Sequence, residues 1–232
     1  MRGILAAIWA VSVILGTEAR AQSGPVVIEL FTSQGCSSCP PADALLAELA
    51  ERDDVIALAL HVDYWDYIGW KDEFAVPAHT KRQKGYAYAA GQRTIYTPQM
   101  IVGGLDHVVG YKPMRLAELI DEHRDLPHSV EFSATRNGKM LEIRASSVVK
   151  ENHDIIVQLA RYMPTATVAI GRGENAGRTI TYHNIVRDLS EIGTWDGRMP
   201  LSMDVEVEGD EPMVVLLQKA KYGPILAAAR IR

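Results

Sequence analysis

Val26-Val27-Ile28-Glu29-Leu30-Phe31-Thr32-Ser33-Gln34-Gly35-Cys36-Ser37-Ser38-Cys39-Pro40-Pro41-Ala42-Asp43 decides the fold of the first half of this chain. Its first seven residues are mostly β-branched and apolar, the composition of a buried strand. From Ala42 onward the apolar residues Ala42, Leu45, Leu46 and Leu49 recur at i, i+3, i+4 and i+7, with Asp43, Glu48, Glu51 and Arg52 on the other faces. That spacing predicts an amphipathic helix. Residues 55–62 are a second short apolar run, so the order is strand, helix, strand, and a parallel βαβ unit is expected.

Cys36 and Cys39 are the only cysteines, placed between the strand and the helix. A sulfur at the first turn of a helix meets unpaired N–H groups and the positive end of the macrodipole, both of which favour thiolate over thiol. The i, i+3 spacing keeps the pair within the separation of about 5.5 Å between Cα atoms that a disulfide tolerates. A Cys-x-x-Cys in a βαβ context is the redox form of this motif. Zinc would want four ligands and there is no second pair; c-type haem would want His at position 40, which is Pro. Ser37 and Ser38 bring hydroxyl donors without a cation, so Cys36 is expected to be acidified by the helix end and by hydrogen bonds.

Working outward, the amino terminus reads as a signal peptide over residues 1–21. Arg2 is followed by an apolar stretch from Ile4 to Leu15 and by Ala19-Arg20-Ala21, a small-x-small cleavage pattern before Gln22. Twelve apolar-rich residues fall short of the roughly 20 that span a bilayer. The expected location is periplasmic or secreted, with no membrane association after signal cleavage, in a compartment that supports disulfides. The net charge of −5, from 29 acidic and 24 basic residues, argues against a nucleic-acid partner.

The mature chain of roughly 210 residues suits two modest domains, divided where the pattern changes at Leu126-Pro127: an α/β domain over 22–127 and a β-sandwich-like domain over 128–232. In the first, a helix is expected over 78–90, short strands over 100–102 and 107–109 around the Gly103-Gly104 turn, and a helix over 113–123. In the second, Val130, Phe132 and Ala134 alternate with polar residues up to the hairpin signal Asn137-Gly138, and Leu141, Ile143 and Ala145 alternate on the return. Further strands are expected over 155–162, 167–170, 179–186, 201–207, 213–217 and 225–231. The glycine-rich segment 171–177 misses the G-x-G-x-x-G spacing and reads as a loop between strands. Lys81-Arg82-Gln83-Lys84 reads as the solvated face of its helix.

His61, Asp63 and Asp66 end the second strand, at the sheet edge where α/β sites usually lie. As a metal set they are weak candidates, so no metal and no cofactor is assigned. Tyr64 and Trp65, with Tyr67 and Trp70, suit an aromatic rim that binds an apolar peptide, or core packing.

The stretch 26–43, together with His61-Val62-Asp63-Tyr64-Trp65-Asp66 and Tyr96-Thr97-Pro98-Gln99-Met100, resembles a bacterial family of secreted thioredoxin-like proteins known only as a domain of unknown function. The resemblance covers nearly the whole mature chain. It implies a thioredoxin-like N-terminal domain in which Cys36 is the nucleophile and Cys39 the resolving thiol, with Pro98 as the cis-proline facing them across the site. The sequence leaves the isomer of the Thr97-Pro98 bond open; a cis bond would let the Thr97 backbone hydrogen-bond an extended substrate as an added strand. Thioredoxin-like enzymes keep a buried acid six residues before the nucleophile, and Glu29, seven before Cys36, resembles that proton acceptor with one residue inserted near Gly35.

The expected function is therefore an exported thiol–disulfide oxidoreductase, with protein or peptide thiols or disulfides as substrate, a redox partner, and a β-rich half that docks a partner or forms a homodimer. Two other readings stand beside it: a binding protein on the same scaffold with a structural disulfide, and a copper or other metal carrier using the two thiolates with His61.

Overall fold

The structure, a computed structural model, describes residues 24–148 and 154–231. The expected signal peptide, residues 1–21, lies outside the described residues. Strand β1 (Val26–Thr32) leads through helix α1 (Pro40–Ala50) to strand β2 (Val55–His61), and the two strands pair in parallel from Val26 opposite Val55 to Thr32 opposite His61. This is the expected βαβ unit. Every residue of both strands is buried, as a sheet covered on both faces requires. Helix α2 (Pro77–Ala89) follows, then strands β3 (Gln99–Val102) and β4 (Asp106–Val109), a hairpin whose β3 pairs antiparallel with β1, then helix α3 (Pro113–Arg124). Proline begins each of α1, α2 and α3, at the position where its missing N–H costs nothing.

The strands after Pro127 are β5 (Val130–Asn137), β6 (Met140–Ser147), β7 (Ile155–Ala169), β8 (Thr179–Trp195), β9 (Leu201–Glu206), β10 (Met213–Lys219) and β11 (Ile225–Ile231). Four of them continue the first sheet, giving the order β11-β10-β7-β8-β2-β1-β3-β4, while β5, β6 and β9 form a second sheet. The seam is the parallel β2–β8 contact, with Ala59 opposite Ile185 and the Asn184 side-chain amide donating to the Ala57 carbonyl at 2.9 Å. The protein is thus a mixed α/β fold with one large sheet and few helices.

The expected breaks inside the long hairpin are absent. Residues 155–169 form one strand that runs through Pro164, and β8 extends to Trp195. Pro164 lacks an N–H, and the ladder resumes on either side, with Met163 opposite Ile185 and Thr165 opposite His183. The intervening Asn184 takes a positive φ of 48°. A proline between Met163 and Thr165 looks like a strand end in sequence; here the strand continues through it.

Apolar side chains of β1, including Ile28 and Leu30, pack with α1 and α3 on one face of the sheet, whereas Val27 and Phe31 pack on the other with Tyr86 of α2 and residues of β7, β8 and β10. The smaller sheet covers the far end of the large one through Leu141, Ile143, Val157, Trp195 and Val215. Among the described residues no helix is long and apolar enough to cross a membrane.

Candidate functional site

After Thr32 the chain turns tightly, the Cys36 N–H donating to the Ser33 carbonyl at 3.1 Å and the Cys39 N–H to the Cys36 carbonyl at 3.2 Å. Cys39 is the N-cap of α1, and its carbonyl accepts the N–H groups of Ala42 and Asp43. Cys36 therefore sits in the turn just before the helix, and only Cys39 joins the first turn itself. The two are joined in a disulfide with Cα atoms 5.4 Å apart. The Ser38 hydroxyl donates to Cys36 Sγ at 3.4 Å, since the bridged sulfur has no proton to give.

Segment 65–70 lies against this turn. A side chain at position 35 would put a Cβ 3.0 Å from Ile68 Cδ1 and 3.1 Å from Trp65 Cβ, so glycine is what allows the approach. Trp65 Nε1 donates to Thr97 Oγ1 at 2.7 Å, linking the cysteine turn to the Thr97-Pro98 segment, whose peptide bond is cis. The register of β1 with β3, Phe31 opposite Gln99, carries Thr97 and Pro98 to the same sheet end as Ser33 and Thr32. Trp65 stacks on Tyr67, which is 82% exposed. Tyr64 turns away toward α2, its hydroxyl donating to Gln83 Oε1 at 3.2 Å, and burial pushes its phenol up to about 12.

The bridge is covered. Cys36 is 1% exposed and Cys39 is fully buried. The covering element is the tip of the β7–β8 hairpin, residues 171–177, read in sequence only as a loop. Asn175 Nδ2 donates to both the Gln34 and the Cys36 carbonyls at 2.9 Å, and Glu174 Oε2 accepts the Ser37 N–H at 3.2 Å. Trp70 Nε1 donates to Gln34 Oε1 at 2.7 Å beneath the same tip.

Glu29 is not brought to the sulfurs. Alternation along β1 sets it on the face of Val27 and Phe31, opposite α1, where its carboxylate receives Arg82 Nε at 2.6 Å, Arg82 Nη2 at 3.1 Å and the Tyr86 hydroxyl. Arg82 also donates to Gln218 at 3.0 Å and is buried, as is Gln83, which corrects the solvated-face reading of residues 81–84. A buried carboxylate on a doubly covered strand needs a cation, and α2 supplies it.

Asp43 is the buried acid near the bridge. The helical pattern put it on a polar face, but it lies on the covered face of α1, one turn after Cys39, because α1 is enclosed by the sheet on that side. Its Oδ1 accepts the Thr32 hydroxyl at 2.7 Å. Burial pushes its carboxyl up to about 7, against an opposing pull from His61. His61 is fully buried at the end of β2, its Nδ1 2.7 Å from Asp72 Oδ2. Asp72 Oδ2 also accepts the Gln34 N–H at 2.8 Å and Oδ1 the Phe74 N–H at 2.9 Å, fixing its carboxylate as an acceptor. The His61 ring is held edge to face between Phe74 and Tyr182, 5.3 and 4.9 Å between centroids.

His61, Asp63 and Asp66 do not converge. Asp63 Oδ1 accepts the Thr80 hydroxyl at 2.5 Å and Asp66 Oδ1 accepts the Asp72 N–H at 3.1 Å, each on its own partner. Among the described residues no group of three or more His, Cys, Asp or Glu is arranged to hold a metal ion.

The family described as "Protein of unknown function (DUF1223)" matches residues 27–218. The chain belongs to that family. Among solved structures it is similar to protein AGR_C_4864 from Agrobacterium tumefaciens, at 33% identity and a TM-score of 0.76 over 90% of this chain and 95% of that one. It also shares its fold with HBP35 of Porphyromonas gingivalis, at 13% identity and a TM-score of 0.63 over 90% of this chain and 74% of that one. No curated protein matches the sequence.

Proposed function

We propose that this DUF1223 protein is an exported thiol–disulfide oxidoreductase whose N-terminal half is thioredoxin-like. The observation that carries the reading is the position of the Cys36–Cys39 bridge, between the end of β1 and the N-cap of α1, where it closes a loop too short to add much stability by chain entropy. A bridge that staples nothing distant is better accounted for by chemistry. The helix end, Ser38 and the Thr97 segment tied in by Trp65 are the surroundings such chemistry uses. The pattern of residues 1–21 supports export into a compartment where the pair can cycle.

In the oxidised state a substrate thiolate attacks Cys36 Sγ; the bridge breaks and its electron pair goes to Cys39 Sγ, which takes up a proton. A second substrate thiolate then attacks the substrate sulfur of the mixed disulfide, freeing Cys36. The substrate dithiol has lost two electrons and two protons to the enzyme pair. Run backwards, the same steps reduce a substrate disulfide at the expense of the enzyme dithiol. Either direction requires the 171–177 tip to lift from Cys36, because a partner sulfur must approach along the bond axis of a buried bridge.

A second reading is favoured by that burial: the bridge stays closed and the scaffold binds a partner without exchange. The two separate in one experiment. A Cys39→Ser variant, added to a periplasmic extract, is expected to accumulate mixed disulfides on Cys36 that dithiothreitol releases. Absence of any adduct, together with failure of the wild-type protein to reduce or oxidise a model dithiol peptide, overturns the enzyme reading.

A further inference from the structure

The buried polar groups beside the bridge are more than packing requires. Asp43 Oδ2 and His61 Nε2, both buried, have no hydrogen-bond partner among the described residues. Leaving such an atom unpaired costs about 1–3 kcal/mol, so two of them on adjacent elements call for an explanation. Asp43 and Cys39 occupy i and i+4 on the covered side of α1, joined by the Asp43 N–H to Cys39 carbonyl bond at 3.0 Å, a relation that brings side chains together. Thr32, whose hydroxyl holds the other Asp43 oxygen, is opposite His61 in the β1–β2 register. Asp72 Oδ2, which already accepts the Gln34 N–H, takes the Nδ1–H of His61, which leaves Nε2 as the free nitrogen of the ring.

We propose that Asp43 is the proton donor and acceptor for Cys39, and that His61, positioned by Asp72, sets the pH at which it works. The inference rests on the thiol–disulfide reading and supplies the group that Glu29 was expected to be. When the bridge opens, neutral Asp43 gives its proton to the departing Cys39 sulfur and becomes a carboxylate, a form that the pull of His61 favours. When the bridge closes, the Asp43 carboxylate removes the Cys39 thiol proton as Cys39 attacks the mixed disulfide, the Cys36–Cys39 bond forms, and the substrate leaves as a thiolate. The charged and titratable groups around Asp43 are His61 from β2, Asp72 from the segment before α2 and Tyr182 from β8. A carboxyl poised at about 7 can run both directions near neutral pH.

The test is the pH dependence of bridge closure in the reduced mature protein reacting with oxidised glutathione, followed as release of the second glutathione. Wild type is expected to show a break near pH 7 that Asp43→Asn removes, with closure slowed about a hundredfold at neutral pH. The first step, measured in a Cys39→Ser background, is expected to stay within about twofold. A His61→Gln variant moves the break to higher pH, which carries the test should Asp43→Asn not fold. Closure by Asp43→Asn at the wild-type rate and with the wild-type pH profile overturns the relay while leaving the enzyme reading intact. No exchange of wild type with glutathione at any pH overturns both.

Discussion

Replacing Asn175 with alanine is expected to speed reduction of the folded protein by about thirtyfold. The side chain is 1% exposed and its Nδ2 holds two backbone carbonyls, Gln34 and Cys36, each at 2.9 Å. Each such bond contributes about 1 kcal/mol net, so the closed tip loses about 2 kcal/mol relative to the open one. A change of about 1.4 kcal/mol is tenfold in an equilibrium, which gives the thirtyfold rise in the open population. When opening is fast relative to reaction, the rate with dithiothreitol follows that population. The assay is thiol labelling over time in dithiothreitol, with urea unfolding of both proteins alongside it. Glu174→Gln, which alters only solvent-exposed contacts to Ser37, is expected to act much more weakly. Equal reduction rates for wild type and Asn175→Ala, at equal global stability, would refute the gating role of the hairpin tip.

Arg82→Leu strands Glu29, which is fully buried, so the urea midpoint is expected to fall by the equivalent of about 3–5 kcal/mol, and Glu29→Met in the same chain to restore most of it. No recovery in the double variant would mean that the pair does more than neutralise itself. Asp43 imposes a pH dependence on stability: its folded pKa of about 7 lies above the ordinary 3.8, so its carboxyl is harmless below pH 3.8 and withdraws stability as pH rises toward 7. The full loss is about 4 kcal/mol at 1.36 kcal/mol per unit. Asp43→Asn, which keeps an oxygen for the Thr32 hydroxyl, should gain on wild type in thermal unfolding at pH 8 and lose that advantage near pH 4; an equal difference at both pH values contradicts the assignment.

The βαβ core was readable because β1 and β2 are continuous apolar runs and α1 repeats its apolar residues at helical spacing. What the sequence hid was tertiary. Lys81-Arg82-Gln83-Lys84 has surface composition, and only the need of Glu29 for a cation, on a strand buried on both faces, signals that Arg82 points inward. Asp43 looked solvated by the apolar pattern alone, although its i+4 relation to Cys39 already put it on the sulfur's side. The 171–177 tip could be recognised as a turn, but its landing place depends on hairpin length: 15 residues of β7, about 50 Å of strand, carry it across the sheet to the cysteine turn. Neither can local spacing reveal that β8 joins β2, since that seam rests on one bridge and one asparagine.

The central claim is that the Cys36–Cys39 bridge exchanges with other thiols while the protein stays folded. Equilibrating the native protein across a series of glutathione redox buffers, quenching with acid and counting labelled thiols tests it directly. The account predicts a single reversible two-electron transition with circular dichroism unchanged throughout; a bridge that yields to no buffer until the protein unfolds would contradict it.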